Sequence, residues 1–231
     1  MLDVMISRAG AIAYLEAELA APDVPGLDRL RLVPTPSVPE VRLYLAQDTT
    51  VWWARMKADA GAVLTPPFWA TAWPGGQALA RYVLDRPMTV AGKRVLDVAS
   101  GSGLVAIAVR LAGAAAVTAN DIDPYALAAI TLNATANAVA VSACPRDLLD
   151  GDGDDADVVL AGDVFYNDAL AQRMWPFLQR AAARGARVLI GDPGRRHLPR
   201  ERLTIAASYP ASASCASTEP HISRMDVFEP R

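Results

Sequence analysis

Lysine is almost missing from this chain of 231 residues: Lys57 and Lys93 are the two present, and arginine supplies the other positive charges. With alanine so abundant beside it, the arginine bias reads as genomic composition before function. Lys and Arg together number 22 against 25 Asp and Glu, so the formal net charge is −3. That argues against a nucleic-acid binder relying on a broad basic surface, because phosphate neutralisation needs clustered cations; a local basic patch stays open. Cysteine is as scarce. Cys144 and Cys215 stand apart with no CxxC spacing, which leaves a disulfide framework or a metal site without support and makes a reducing cytoplasm the expected compartment. The apolar N-terminal stretch is broken by Arg8, Glu16 and Glu18, so neither a signal peptide nor a membrane span is expected.

What is present is apolar. Hydrophobic residues make up 52% and charged residues 20%, the balance of a chain that buries a large core. The simplest division is an N-terminal attachment, residues 1–63, and one α/β domain, residues 64–231. At the centre lies VLDVASGSG, residues 95–103. Val95, Leu96 and Val98 suit a buried strand, Gly101 and Gly103 end it, and a helix follows from Leu104 to Ala112. Glycines let backbone N–H groups approach a ligand, and the helix N-terminus aims its own at the same place. The spacing Gly101-x-Gly103-x-x-Ala106 is weak alone, since NAD-binding folds share it. Asp97 and Asp121 sharpen it: the first is an acid inside the strand, the second follows Gly101 by twenty residues, where a carboxylate can accept both hydroxyls of a ribose. This combination resembles the first two motifs of class I S-adenosylmethionine (SAM) methyltransferases. An NAD-dependent oxidoreductase is the alternative enzyme, and a SAM-binding scaffold without activity is the alternative binding module.

In chain order, residues 5–20 have helical spacing at Ile12, Leu15 and Leu19, and the prolines at 34, 36 and 39 mark an extended connection before a strand at 41–46. In residues 66–85, Phe68, Trp69 and Trp73 crowd a Pro-Gly-Gly turn with a helix beginning near Gly76. These aromatics suit either a lid over the sheet edge or a wall beside a cofactor, where the face of Trp73 or Trp69 attracts a cation by about 0.5–2 kcal/mol. A second strand spans 115–120, and Asp123-Pro124 caps and opens the next helix. A short strand near 140–144 delivers Asp147 to a loop, where it is a candidate acceptor for an adenine amino group. The acidic run 150–157 fails as a calcium loop: counted from Asp150, the sixth position is Asp155 and the twelfth Ala161, in place of glycine and glutamate. A strand at 158–162 presents GDVFY at its carboxyl end; a helix at 168–184 stops at Gly185; RVLIGDPGR forms a fifth strand and loop. Residues 199–209 read as helical, with closing strands near 211–217 and 221–229. The expected fold is α/β: a seven-stranded, mostly parallel Rossmann-like methyltransferase sheet with helices on both faces and a short helical and extended N-terminal attachment.

Taken together, PPFWATAWPGGQALARYVLD, VLDVASGSGLVAIA, ANDIDPYA, GDVFY and VLIGDPGR resemble bacterial lysine methyltransferases of the electron transfer flavoprotein β subunit, over most of residues 64–200. The strongest mark is Asp163-x-x-Tyr166, a motif that this wider group carries beside the methyl-transfer pocket. The resemblance implies SAM as cofactor and S-adenosylhomocysteine as product, a flavoprotein β subunit as substrate, and Asp97, Gly101, Ser102, Gly103 and Asp121 as cofactor residues, with Trp73 and Asp147 beside them. It implies Asp163 and Tyr166 at the substrate; since a carboxylate alone would raise an amine's pKa, Asp163 is expected to orient the amine rather than remove its proton. Ribosomal protein L11 methyltransferases share the glycine motif, but their asparagine-rich fourth motif is missing, as is an Asn-Pro-Pro-Tyr motif. Another protein target, such as a ribosomal protein, or a small molecule of the nicotinamide kind is the alternative substrate.

Overall fold

Burial on both faces turns the central strands into apolar runs, and that is what fixes the middle of the structure. The computed structural model describes residues 6–22, 28–61, 64–211 and 222–231. Its helices are α1 (Arg8–Ala20), α2 (Thr49–Ala60), α3 (Pro74–Asp85), α4 (Leu104–Leu111), α5 (Pro124–Ala136) and α6 (Asp168–Ala183). Its strands are β1 (Arg31–Thr35), β2 (Val38–Leu45), β3 (Arg94–Val98), β4 (Ala116–Asn120), β5 (Ser142–Cys144), β6 (Val158–Gly162), β7 (Arg187–Asp192), β8 (Leu203–Pro210) and β9 (Arg224–Pro230). Seven of them form one sheet in the order β5-β4-β3-β6-β7-β9-β8, parallel from β5 to β7, with β9 antiparallel to both its neighbours. After β3 the chain moves out through β4 to β5, then returns to the other side of β3 as β6. Such a reversal opens a crevice at the carboxyl ends of the strands.

Alternation along each strand divides the core. Val95, Val117, Leu160 and Leu189 face α3 and α4, together with Leu127 and Ile130 of α5, whereas Leu96, Val159, Val188 and Ile190 face Met174, Phe177 and Leu178 of α6. A third cluster joins the N-terminal segments to the outer side of α5: Ala11 and Leu15 of α1, Trp52 and Met56 of α2, and Trp69 pack with Tyr125, Ala126 and Ala129. Two asparagines one helical turn apart, Asn133 on α5 and Asn137 at its C-cap, complete that junction. Asn133 accepts the Tyr44 N–H at 2.8 Å and Asn137 accepts the Arg42 N–H at 2.9 Å, so the open edge of β2 finds partners.

Three expectations change. The proline-bearing connection is a hairpin of β1 and β2, with Pro34 in a strand of a two-stranded sheet; an edge strand can spare the N–H that proline lacks. Residues 199–209 are not a helix. A single 3-10 turn at Arg200–Arg202 leads into β8, which pairs with β9 from Leu203 opposite Pro230 to Pro210 opposite Arg224. A register shift between Ile205 and Ala207 breaks the two-residue alternation, which is why the segment lacks a strand's pattern. The closing pair therefore exists, but its first strand lies earlier than 211–217, a span that falls outside the described residues after Ala211, as does Cys215.

Candidate active site

At the carboxyl ends of β3, β4, β6 and β7 lies a cavity of about 390 Å³. One wall is the turn after β3. Ala99, Gly101 and Gly103 take φ values of 53°, 56° and 83°, the left-handed region that is cheap for glycine and strained for alanine. A Cβ on Gly103 would stand 3.3 Å from the Ile130 backbone, so the turn sits tightly on α5 as α4 begins. Ser102 is buried behind it, its carbonyl accepting from Asn133 Nδ2 at 2.8 Å.

Two carboxylates shape this turn from within. Asp97 accepts from Ser100 Oγ at 2.5 Å and from the Ala106 N–H at 3.2 Å. Burial pushes it up to about 7, against these two hydrogen bonds and with a smaller push from Asp121. Asp121, immediately after β4, accepts the Gly101 N–H on Oδ2 at 2.9 Å and the Asp123 N–H on Oδ1 at 3.0 Å. Burial raises it too, opposed by these backbone donors. Asp123 caps α5 by accepting the Tyr125 N–H at 2.8 Å, and burial lifts it to about 6. All three acids line the cavity.

The opposite wall centres on Asp163, which follows β6 with φ 57° and is buried. Its Oδ2 accepts the Gly76 N–H at 2.7 Å and its Oδ1 accepts Arg195 Nη1 at 2.5 Å. Burial raises this carboxyl, with Arg195 first among the opposing influences and the Gly75 and Gly76 amides behind it. The helix reaches so close because four glycines meet there. A Cβ on Gly75 would fall 2.1 Å from the Gly191 carbonyl oxygen, one on Gly191 would fall 2.0 Å from that of Gly75, and one on Gly162 would fall 3.1 Å from Gly76. No side chain fits between α3 and the ends of β6 and β7. Arg195 in turn is carried by a turn that Asp192 folds: the wholly buried Asp192 accepts the Gly194 and Arg195 N–H groups on Oδ1 at 2.6 and 2.7 Å.

Aromatic rings form the mouth. Tyr166, 49% exposed, lies 5.6 Å from Phe68 between ring centroids, and Phe68 lies 6.2 Å from Trp73. Trp73 Nε1 donates to the Phe68 carbonyl at 2.7 Å, which fixes the indole beside the start of α3. Trp69 also lines the cavity but is buried, its ring stacked on Tyr125 at 6.4 Å between centroids, next to the glycine turn.

The structure thus brings Trp73, Asp97, Gly101, Ser102, Asp121, Asp163 and Tyr166 to one cavity; Gly103 caps the start of α4 against Ile130 and is not among the lining residues. It does not bring Asp147 there. Asp147 Oδ2 accepts from Arg173 Nη1 at 2.8 Å and Oδ1 accepts the Leu149 N–H at 3.1 Å, so the carboxylate is turned to the surface, and Arg173 lowers its pKa. Ile122 and Asp123 stand at the cavity instead. Arg195 and Asp192 were not singled out in the sequence; the signal was a lone acid ending an apolar strand, as Asp97 nearly ends β3. Among the described residues no cluster of His, Cys, Asp and Glu could hold a metal ion, and no helix is long and apolar enough to cross a membrane.

A family model described as ribosomal protein L11 methyltransferase (PrmA) matches residues 78–181. Among curated proteins, the electron transfer flavoprotein beta subunit lysine methyltransferase of Danio rerio is 43% identical over 172 residues, covering 73% of this chain and 66% of the relative. The Homo sapiens protein of that name is 44% identical over 163 residues, covering 68% and 60%. The Caenorhabditis elegans homolog is 32% identical over 176 residues, covering 69% of this chain and 71% of its own length. The chain thus spans about two thirds or less of the length of the vertebrate relatives it matches. Magnesium protoporphyrin IX methyltransferase from Synechocystis PCC 6803, solved with bound SAM, superposes with a TM-score of 0.51 at 16% identity, covering 79% of this chain and 93% of that one. A putative RNA methyltransferase from Pyrococcus horikoshii gives 0.51 at 14% identity, covering 77% and 96%. Identities so low speak for the shared fold alone, whereas the sequence relatives carry the conclusion: the chain belongs to the electron transfer flavoprotein beta subunit lysine methyltransferase family.

Proposed function

We propose that the protein transfers the methyl group of SAM to a lysine amine on another protein, the electron transfer flavoprotein β subunit. The observation that carries this reading is the sharing of one cavity by the acid-braced glycine turn and by Asp163, Tyr166 and the aromatic mouth. The residues fit the cofactor. Asp121 takes the Gly101 N–H on Oδ2 and the Asp123 N–H on Oδ1, with the Ile122 amide a further donor, and its two oxygens still have lone pairs for a ribose hydroxyl. Gly101 adds no side chain to the wall, and Asp121 and Asp123 line it with carboxyl oxygens that suit a sulfonium and an ammonium, while Asp97, lifted to about 7, braces the turn.

A methyl on a sulfonium is already activated, so the reaction asks little covalent chemistry of the protein. The lysine nitrogen uses its lone pair to form the N–CH₃ bond as the S–CH₃ bond breaks; the positive charge passes from sulfur to nitrogen, and a proton then leaves the nitrogen for solvent. The residues must align that nitrogen and exclude water. Neutralising a lysine of ordinary pKa near 10.4 costs about 4 kcal/mol at about pH 7.4. The rings of Phe68, Trp73 and Tyr166 desolvate the ammonium and so lower that cost. Asp163, already bonded to Arg195 and Gly76, is better suited to accept an amine hydrogen bond than to remove a proton. In this reading the described parts of residues 1–63 brace the cofactor turn through α1, α2 and α5, and 64–231 form the methyltransferase domain. A cytoplasmic location goes with it, supported by the isolated cysteines.

The experiment is methyl transfer from radiolabelled SAM to purified flavoprotein β subunit and to a cell extract, beside calorimetric titration with SAM and with NAD. Labelling of one protein at the β-subunit mass is the expected result. Binding of NAD in place of SAM would overturn the reading; SAM binding without any labelling would leave a scaffold, and labelling of an L11-sized band or of a small molecule would move the substrate.

A further inference from the structure

Arg195 stands between two buried carboxylates whose demands differ. Its Nη1 is 2.5 Å from Asp163 Oδ1 and 3.8 Å from Asp192 Oδ2, and its side chain is 12% exposed. Asp192 uses its other oxygen to fold the backbone of Gly194 and Arg195, while Oδ2 has no hydrogen-bond partner among the described residues. Gly194 has φ 96°, and its carbonyl accepts from Arg200, which holds the turn from its far side. The loop after β7 is therefore built, from the buried acid that ends the strand, to deliver one guanidinium to the acid at the end of the adjacent strand. The same glycines bring the α3 amides to the other oxygen of the same acid.

Resting on the lysine methyltransferase reading, we propose that Arg195, set by Asp192, is a positioning residue for methyl transfer: it holds Asp163 as a fixed, ionised acceptor for the substrate amine. Without a cation beside it, a carboxyl this buried favours its protonated form, and a protonated Asp163 offers the amine a poorer acceptor. Among the described residues, the titratable and charged groups around Asp163 are Arg195 from the loop after β7, Asp192 at the end of β7 and Tyr166 from its own loop, with Asp97 and Asp121 lining the same cavity. From α3 the backbone amides of Gly75 and Gly76 reach it. Arg195 is the cation in that set, so the ionisation of Asp163 depends on it.

The test compares Arg195→Met, Arg195→Lys and Asp192→Ala with the unaltered protein, following the ¹³C carboxyl titration of Asp163, SAM affinity, and kcat and KM for the protein substrate. Arg195→Met is expected to move the Asp163 midpoint upward and to lower kcat by roughly a hundred-fold, the cost of a misplaced reacting group, with SAM affinity within a few-fold. Arg195→Lys keeps the charge and is expected to return the midpoint most of the way and kcat in part; Asp192→Ala, which frees the turn, should lower kcat in the same direction as Arg195→Met. A folded Arg195→Met protein with an unmoved midpoint, or with kcat within about three-fold of wild type, would overturn the proposal. Absence of methyl transfer by the unaltered protein would overturn the function instead, and the titration would still judge the clamp.

Discussion

On the β3–β4 side of the cavity the chain turns through Ala99 at φ 53°, with buried Asp97 accepting from the loop that follows; on the β6–β7 side it turns through Asp163 at φ 57°, with buried Asp192 doing the same for its own loop. Each side also has glycines that remove the space a side chain would need, Gly103 against Ile130 and Gly75 against Gly191. The construction is common, but the charge is not. Asp97 and Asp121 are partnered by neutral donors, whereas Asp163 has Arg195. One side meets its acids with backbone and hydroxyl donors alone; the other sets a guanidinium against its acid.

Removing the acid from each side breaks the comparison most sharply. Asp163→Ala is expected to reduce methyl transfer by roughly a thousand-fold or more, because the amine loses its orienting acceptor, while SAM affinity stays within a few-fold. Asp121→Ala should do the converse, weakening SAM binding by about ten- to a hundred-fold through the lost ribose acceptor and the loosened Gly101 amide. Radiolabel transfer measures the first and calorimetry the second. If both variants lose SAM affinity equally, the two sides do not divide the work as described.

The glycine contacts give a stability test of the same pairing. Gly191→Ala would drive a methyl group to 2.0 Å from the Gly75 carbonyl oxygen, and α3 must move away from the sheet. A loss of about 3 kcal/mol is expected in denaturant unfolding. Gly101→Ala meets nothing nearer than 3.8 Å, so its cost is the left-handed backbone alone, about 1 kcal/mol.

Acid strength separates the sides more gently. Asp97 has a folded pKa of about 7 against an ordinary 3.8. Between those values the folded state binds the extra proton, so Asp97 makes the protein less stable as pH rises from about 4 to about 7, and no further change comes from it above that window. Asp123 and Asp192, both lifted to about 6, act in the same direction over a narrower range. Asp97→Asn retains an acceptor for Ser100 and Ala106, and its unfolding free energy should depend less on pH across that window. A pH dependence as steep as that of the unaltered protein would show that Asp97 titrates normally.

How much of this could be read from the chain depends on how local each cause is. β3, β6 and β7 announce themselves because burial on both faces demands apolar runs, and the Asp123-Pro124 cap of α5 is a matter of adjacent residues. α2 went unread although Asp48 caps its start and Gly61, at φ 59°, ends it, because its first half, Thr49 to Trp53, is rich in β-branched and aromatic residues. β8 was hidden by its register shift. The Arg195–Asp163 pair was hidden for another reason: 32 residues separate the partners, and only the adjacency of β6 and β7 in the sheet joins them.

Asp147 is the same lesson in the opposite sense, and it supplies the smallest predicted effect. Its place after β5 suggested an adenine contact, but Arg173, 26 residues further on, takes the carboxylate, and both side chains are nearly half exposed. An adenine acceptor would have to leave that cation and cross to a wall already occupied by Ile122 and Asp123. Asp147→Ala should therefore leave SAM affinity within about two-fold, because pairs this exposed contribute little and the cavity wall is unchanged. Asp123→Ala, on the lining itself, should weaken binding more, since it removes both a charge from the wall and the cap of α5. The reverse order of effects in calorimetry would mean that the β5 loop closes over the cofactor when it binds and that the arginine pair opens to let it.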